Sequence, residues 1–364
     1  MGFRCGIIGL PNVGKSTIFN ALTAAAADVA NYPFCTIDPN IGIVPVPDPR
    51  LENIAKILNP PKFTFTTIEF VDIAGLVKGA SRGEGLGNRF LGNIRDVDAI
   101  VHIVRCFDDP DVAHVHGAVA PADGIEVVNV ELILADLETV EKRIDKMEKS
   151  ARGGSRSRHG ELDLYHTIRA MLGKNVPVRN IELSSEEETI LKELNLITAK
   201  KVLYVANVSE SELRERGGYT KSVEKIAKSD GSKAIIICGD IEAEVAVLPE
   251  DDRREFLDDL GLNESGLEKL TREGYGLLGL ITFYTAAGEE LRAWTIPSGT
   301  KASQAAGKIH TDMERGFIRA EALNYEDFVT VGSISAAREK GLVRIEGRNY
   351  VILDGDIVYF RFKV

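Results

Sequence analysis

The chain has 364 residues, 44% of them hydrophobic, enough for two or three domains and a sizeable core. A formal net charge of -11 and a pI near 5.2 exclude a uniformly basic coat, so any nucleic-acid contact must rest on a local patch. No basic segment with an apolar signal core opens the sequence, no apolar run reaches membrane-span length, and Cys5, Cys35, Cys106 and Cys238 form no CxxC pair. A soluble, mostly monomeric cytoplasmic protein with reduced thiols and no membrane partner is expected.

The first strand pattern, Cys5 to Ile8, leads into Gly9-Leu-Pro-Asn-Val-Gly-Lys-Ser16, a full G-x-x-x-x-G-K-[ST] match, and then into a helix expected over Thr17 to Ala27. Strand, loop and helix in this order make a phosphate cradle, and a nucleoside triphosphate is the expected ligand. Asn12, Val13, Gly14, Lys15, Ser16 and Thr17 are its candidate contacts, with Lys15 on the β/γ-phosphates and Ser16 completing a Mg²⁺ shell. The loop Asn31 to Asn40 holds Thr36, a candidate switch threonine that would lend its hydroxyl to Mg²⁺. An alternating run from Phe63 to Phe70 then ends in Asp72-Ile-Ala-Gly75, where Asp72 would hold Mg²⁺ through water and the Gly75 N–H would sense a γ-phosphate. The glycine-dense segment from Gly75 to Gly92 reads as a mobile switch.

A glutamine commonly follows the Asp-x-x-Gly glycine to orient water, but here Leu76 stands there, so intrinsic hydrolysis is expected to be slow. His114 is the candidate replacement, with a surface histidine of no role as the alternative; His102, inside an apolar strand, reads as a core residue. From Ile133 the apolar positions Leu137, Val140, Ile144 and Met147 continue a coiled-coil seam, followed by a tip at residues 151–160 and helical patterns at Leu162 to Leu172 and Glu186 to Leu194. Lys149, Arg152, Arg156 and Arg158 gather at the tip with no acidic residue between positions 149 and 160. Contact with RNA phosphates and a merely solvated tip are the competing readings.

The strand Lys201 to Ala206 delivers Asn207-Val-Ser-Glu210, where a guanine reader would be Asn-Lys-x-Asp. Val208 and Glu210 replace its lysine and aspartate, which shifts the expected base to adenine, with GTP the weaker ligand. Cys238 and Gly239, after the strand Lys233 to Cys238, are expected against the base edge. Beyond Ile281 the pattern changes to a hairpin, a helix carrying Ala302, Ala305, Ala306 and Ile309, and strands at Leu342 to Ile345 and Tyr350 to Phe362.

Taken with Asp72 to Ala80 and Gly85 to Leu91, these motifs resemble the YchF or Obg-like ATPases, a branch of the P-loop GTPases, over the whole chain. The resemblance implies ATP binding, slow hydrolysis to ADP and engagement of the ribosome or other RNA. The fold class expected is α/β: a P-loop G domain (1–130 and 198–280), an inserted antiparallel helical coiled-coil arm (131–197) and a C-terminal β-grasp or TGS domain (281–364). A GTPase in ribosome assembly and a non-catalytic ATP sensor are the alternatives.

Overall fold

The computed structural model describes residues 3–29, 40–73, 86–109, 119–150, 156–214, 216–287 and 289–363. In chain order it forms β1 (Arg4–Ile8), α1 (Lys15–Val29), β2 (Ile41–Pro45), α2 (Pro49–Leu58), β3 (Lys62–Thr64), β4 (Thr67–Asp72), α3 (Leu86–Arg95), β5 (Ala99–Arg105), α4 (Pro121–Ser150), α5 (Arg156–Leu172), α6 (Ser185–Lys192), β6 (Lys201–Asn207), α7 (Glu210–Arg214), α8 (Gly218–Ser229), β7 (Lys233–Ile237), α9 (Gly239–Val245), α10 (Glu250–Asp259) and α11 (Gly266–Leu277). The remainder is β8 (Leu280–Ala287), β9 (Glu290–Pro297), α12 (Ala302–Ile309), α13 (Thr311–Arg315), β10 (Phe317–Leu323), α14 (Tyr325–Val331), α15 (Ile334–Glu339), β11 (Arg344–Glu346) and β12 (Ile357–Phe362).

These elements divide into two compact units, Met1–Ile43 with Glu69–Leu270 and Val44–Ile68 with Thr271–Val364. The first holds a sheet of order β2-β4-β1-β5-β6-β7 in which β4, β1, β5, β6 and β7 run parallel. Every residue of β5 and six of seven in β6 are buried, the signature of central parallel strands covered on both faces. The end of β1 opens where the strand order turns outward to either side, the crevice at which open α/β sheets bind ligands.

An arm grows out of this unit. The expected seam of Ile133, Leu137, Val140, Ile144 and Met147 packs with Leu164, Tyr165, Ile168 and Leu172 into one apolar core. Its flanking helices are longer than the periodicity indicated, since α4 already begins at Pro121 and α5 at Arg156. Ser184 caps α6 in a reciprocal box with Glu187. The two ends of the arm are bolted together by Asp136, fully buried on α4, which accepts the N–H groups of Ile197 at 2.9 Å and Thr198 at 2.7 Å. Burial raises the Asp136 pKa, and these donors oppose the shift.

The second unit has a sheet of order β11-β10-β12-β8-β9-β3. Its β9-β8-β12-β10-β11 portion, with β8 parallel to β12 and α12 packed on one face, is the β-grasp arrangement expected after Ile281. Ala302, Ala305 and Ala306 are completely buried, letting α12 lie close to the sheet. The last strand is shorter than expected, covering Ile357–Phe362 only, because residues 350–356 turn to place Asp356 against the Tyr284 N–H.

One segment departs from the boundaries read from sequence. Residues 44–68 were expected in the nucleotide domain, and Phe63 to Phe70 as one alternating run. Instead the run splits: β3 pairs parallel with β9 in the second unit, and β4 pairs with β1 in the first. The cause is the apolar face of α2, where Leu51 and Ile54 are fully buried with Tyr284, Leu291 and Phe328.

Candidate nucleotide-binding site

Between β1 and α1 the chain turns through Asn12 at φ 62° and Gly14 at φ 87°. Asparagine tolerates the left-handed region singly, but at Gly14 a Cβ would also stand 2.1 Å from Asn207 Nδ2, so only glycine fits. Lys15 opens α1, with Ser16 and Thr17 in the same first turn, so the helix's unpaired N–H groups face the loop. The Lys15 ammonium lies 2.5 Å from Asp72 Oδ1 at the end of β4, with side-chain exposures of 11% and 19%. Thus the two residues expected to serve phosphate and metal come together across two parallel strands, although they are 57 positions apart.

Asn207, at the end of β6 and only 4% exposed, donates from Nδ2 to the Val13 carbonyl at 3.0 Å and accepts the Gly239 N–H at 2.9 Å. Its side chain therefore ties the phosphate loop to the β7–α9 turn. The Gly239 N–H expected at the base edge is engaged by Asn207. Val208 and Cys238 are both 2% exposed, and Val208 N–H donates to the Ile237 carbonyl at 2.9 Å. Burial raises the Cys238 thiol pKa and keeps the thiol neutral. Glu210 opens α7, exposed and next to this apolar floor.

Residues 4–150 match a model described as 50S ribosome-binding GTPase, and residues 280–363 match the YchF GTPase C-terminal model, described as a protein of unknown function. Two relatives named ribosome-binding ATPase YchF align over 100% of both chains: one from Escherichia coli O157:H7 at 51% identity, one from Bacillus subtilis (strain 168) at 50%. The chain belongs to the YchF family. A solved structure titled as the Schizosaccharomyces pombe YchF GTPase superposes with a TM-score of 0.91 at 37% identity, covering 99% of this chain and 98% of that one.

Several YchF positions named from sequence lie outside the described residues: Thr36, Gly75, Leu76, His114 and Arg152. Lys149 is exposed in the last turn of α4, and Arg156 and Arg158 fall in the first turn of α5. Among the described residues no cluster of three His, Cys, Asp or Glu side chains suits a metal, and no helix is long and apolar enough to cross a membrane. The Ser16 hydroxyl and Asp72 carboxylate are hard oxygen donors, the sparse kind of protein set that suits Mg²⁺ completed by water and phosphate oxygens.

Sequence reasoning missed three side chains of this YchF unit. Arg105, at the end of β5 and 4% exposed, donates to the Phe107 carbonyl at 3.1 Å and the Asp109 carbonyl at 3.2 Å, and its guanidinium lies 4.6 Å from the Phe107 ring centre. It holds the backbone that follows β5 as far as Asp109; the signal was an arginine closing an apolar strand. Glu242 on α9 is 2% exposed and accepts the N–H groups of Gly266 at 2.7 Å and Leu267 at 3.2 Å, capping α11. Burial pushes its carboxyl up to about 7 against those donors. Asp230, the third, receives Arg179 at 2.9 Å and the Tyr204 hydroxyl at 3.0 Å. His102 beside Tyr204 is the core residue expected: at 2% exposure, burial lowers its pKa to about 3, so it stays neutral.

Proposed function

We propose that this chain is an ATP-hydrolysing switch that binds the ribosome. The supporting observation is the name ribosome-binding ATPase YchF, carried by relatives half identical to it over the full length. Asn207-Val208-Ser209-Glu210 adds the base preference: without the Asn-Lys-x-Asp aspartate, guanine loses its two-hydrogen-bond acceptor, which favours ATP over GTP.

In this reading Lys15 exchanges its partner, leaving Asp72 for the β/γ-phosphate oxygens, and the amides of Asn12 to Ser16 cradle the remainder. Ser16, Thr36 and Asp72 would hold Mg²⁺, which when bound neutralises charge on the phosphates. Gly75 would donate its N–H to the γ-phosphate, and His114, neutral, would orient the attacking water in the absence of a glutamine at Leu76. Asn207 keeps the phosphate loop and base loop in register, while Val208 and Cys238 supply an apolar wall near the base. Lys149, Arg152, Arg156 and Arg158 would approach ribosomal RNA phosphates, and the chain would act as a monomer.

A second reading, a GTPase, is favoured by the titles of the fission-yeast structure and the 50S ribosome-binding model. Side-by-side titration with ATP and GTP, followed by single-turnover hydrolysis with and without ribosomes, separates the two. Tighter ATP binding and ribosome-stimulated ADP release are expected; a clear preference for GTP sinks the adenine assignment.

A further inference from the structure

The end of α3 and the root of the arm share one hydrogen-bonded joint. Lys200, immediately before β6, directs its ammonium at three acceptors: the Arg95 carbonyl at 3.0 Å, the Val97 carbonyl at 2.7 Å and Asn195 Oδ1 at 3.2 Å. Asn195 Nδ2 donates to the same Arg95 carbonyl at 3.0 Å. Every ammonium hydrogen therefore has an acceptor, and both lone pairs of the carbonyl that closes α3 are used. A cation here also offsets the negative end of the helix dipole. Burial lowers the Lys200 pKa, and the carboxylates of Asp98, Asp136 and Asp96 oppose that shift.

The side chain of Arg95 reaches the other leg of the arm. Its Nη2 donates to Thr139 Oγ1 on α4 at 2.8 Å, while the Thr139 hydroxyl gives its own hydrogen to the Ala135 carbonyl at 2.9 Å. One turn earlier on α4 stands Asp136, whose carboxylate holds the N–H groups of Ile197 and Thr198. The contacts close a ring: from Arg95 to Thr139, along α4 to Asp136, across to Ile197 and Thr198, along the chain to Asn195 and Lys200, and back to Arg95. Such a ring allows α3 no displacement of its own. Sliding its end away from the arm would strand the half-buried Lys200 ammonium, which costs more than the loss of one neutral hydrogen bond. In chain order α3 is the first helix after Asp72, the carboxylate that meets Lys15, so this connection runs from the phosphate site to the arm.

We infer that the ring of Arg95, Thr139, Asn195 and Lys200 is the joint that couples the nucleotide site to the arm: a shift of α3 on exchange of ATP for ADP turns the arm, and a partner seated on the arm acts back on the phosphate site. That reciprocity is required by linkage. The four are positioning residues, which act through α3 rather than on the nucleotide. This inference deepens the switch reading and rests on it, because without a nucleotide-dependent change in α3 the joint has nothing to transmit.

The test is amide hydrogen exchange on the full chain, read by mass spectrometry with the β,γ-imido analogue of ATP and with ADP; the guanine pair is used instead if the titration above selects GTP. In the parent, α3 and the arm helices α4 and α5 should both exchange differently in the two nucleotide states. Three variants open the ring: Lys200→Met keeps the apolar stem, Asn195→Gly keeps the left-handed backbone at φ 45°, and Thr139→Val removes only the hydroxyl. In each, the α3 difference should persist while the arm difference falls by about half or more. If Lys200→Met fails to fold, Thr139→Val carries the same test. Variants that melt earlier but keep the parent's arm difference make the contacts merely structural and overturn the joint, as does loss of the α3 difference together with that of the arm. A parent in which α3 responds and the arm does not overturns the joint and leaves the switch standing; a parent in which α3 does not respond removes the switch reading itself. Ribosome co-sedimentation supplies a second readout: the ratio of affinities in the two nucleotide states should be about fivefold or more in the parent and near one in the variants. An undiminished ratio in all three variants overturns the joint.

Discussion

Asn207 and Val13, 194 positions apart in sequence, are joined by a buried hydrogen bond of 3.0 Å, and the same Asn207 side chain accepts the Gly239 N–H. One buried side chain thereby holds two loops at a fixed spacing.

Replacing Asn207 with alanine strands the Val13 carbonyl and the Gly239 N–H. A loss of roughly 1–3 kcal/mol of stability and about tenfold or more in ATP affinity is expected. Asn207→Asp should be worse, since it faces the Val13 carbonyl with a second acceptor. Thermal melting and ATP titration check both, and an Asn207→Asp chain that binds as well as the parent removes the clamp role.

Gly14→Ala meets two obstacles at once, a backbone at φ 87° and a Cβ placed 2.1 Å from Asn207 Nδ2. Nucleotide binding should disappear at concentrations that saturate the parent, while circular dichroism stays near that of the parent because the strain is confined to the loop.

The Lys15–Asp72 contact predicts unequal effects of removing either partner. Lys15→Ala should lower ATP hydrolysis on the order of 10²-fold or more through lost phosphate stabilisation. Asp72→Asn should chiefly raise the Mg²⁺ concentration needed for half-maximal hydrolysis. A Mg²⁺ dependence unchanged by Asp72→Asn, measured by titration, would falsify its assignment as a metal residue.

Glu242 gives a pH dependence with a definite sign. Burial lifts its carboxyl from 4.5 to about 7 in the folded chain, so between these values the folded state binds more protons than the unfolded one. Stability from this group is therefore full at the acid end and declines as pH rises through 7, by up to about 3 kcal/mol. Denaturant unfolding at pH 5.5 and 8 should show that decline in the parent and a flatter profile in Glu242→Gln. A parent that gains stability relative to the variant over this range contradicts the assignment.

Much of the site could be read directly because its chemistry is local. Gly9 to Ser16 is contiguous, and the burial of His102 follows from an uninterrupted apolar strand. The second unit's core helix was visible in its alanines for the same reason. What escaped depends on partners distant in sequence. Nothing in Phe63 to Phe70 announces that its first half pairs with Glu290 to Arg292, because alternation records a half-buried strand without naming its neighbour. Glu242 likewise resembles a surface carboxylate until the N-terminus of α11 is placed over it. The clamp made by Asn207 stayed hidden because a side chain that ties loops together and one expected to touch a base leave the same letter.

The loan of Val44–Ile68 to the second unit also orders events during synthesis. Leu51 and Ile54 emerge from the ribosomal tunnel long before Tyr284, Phe328 and Ile357, the residues that bury them. Those apolar side chains must wait through more than half of translation without their core. A chain released early, before residue 280, would consequently carry a permanently uncovered α2, giving quality-control proteases a ready mark of incompleteness in an otherwise finished nucleotide fold.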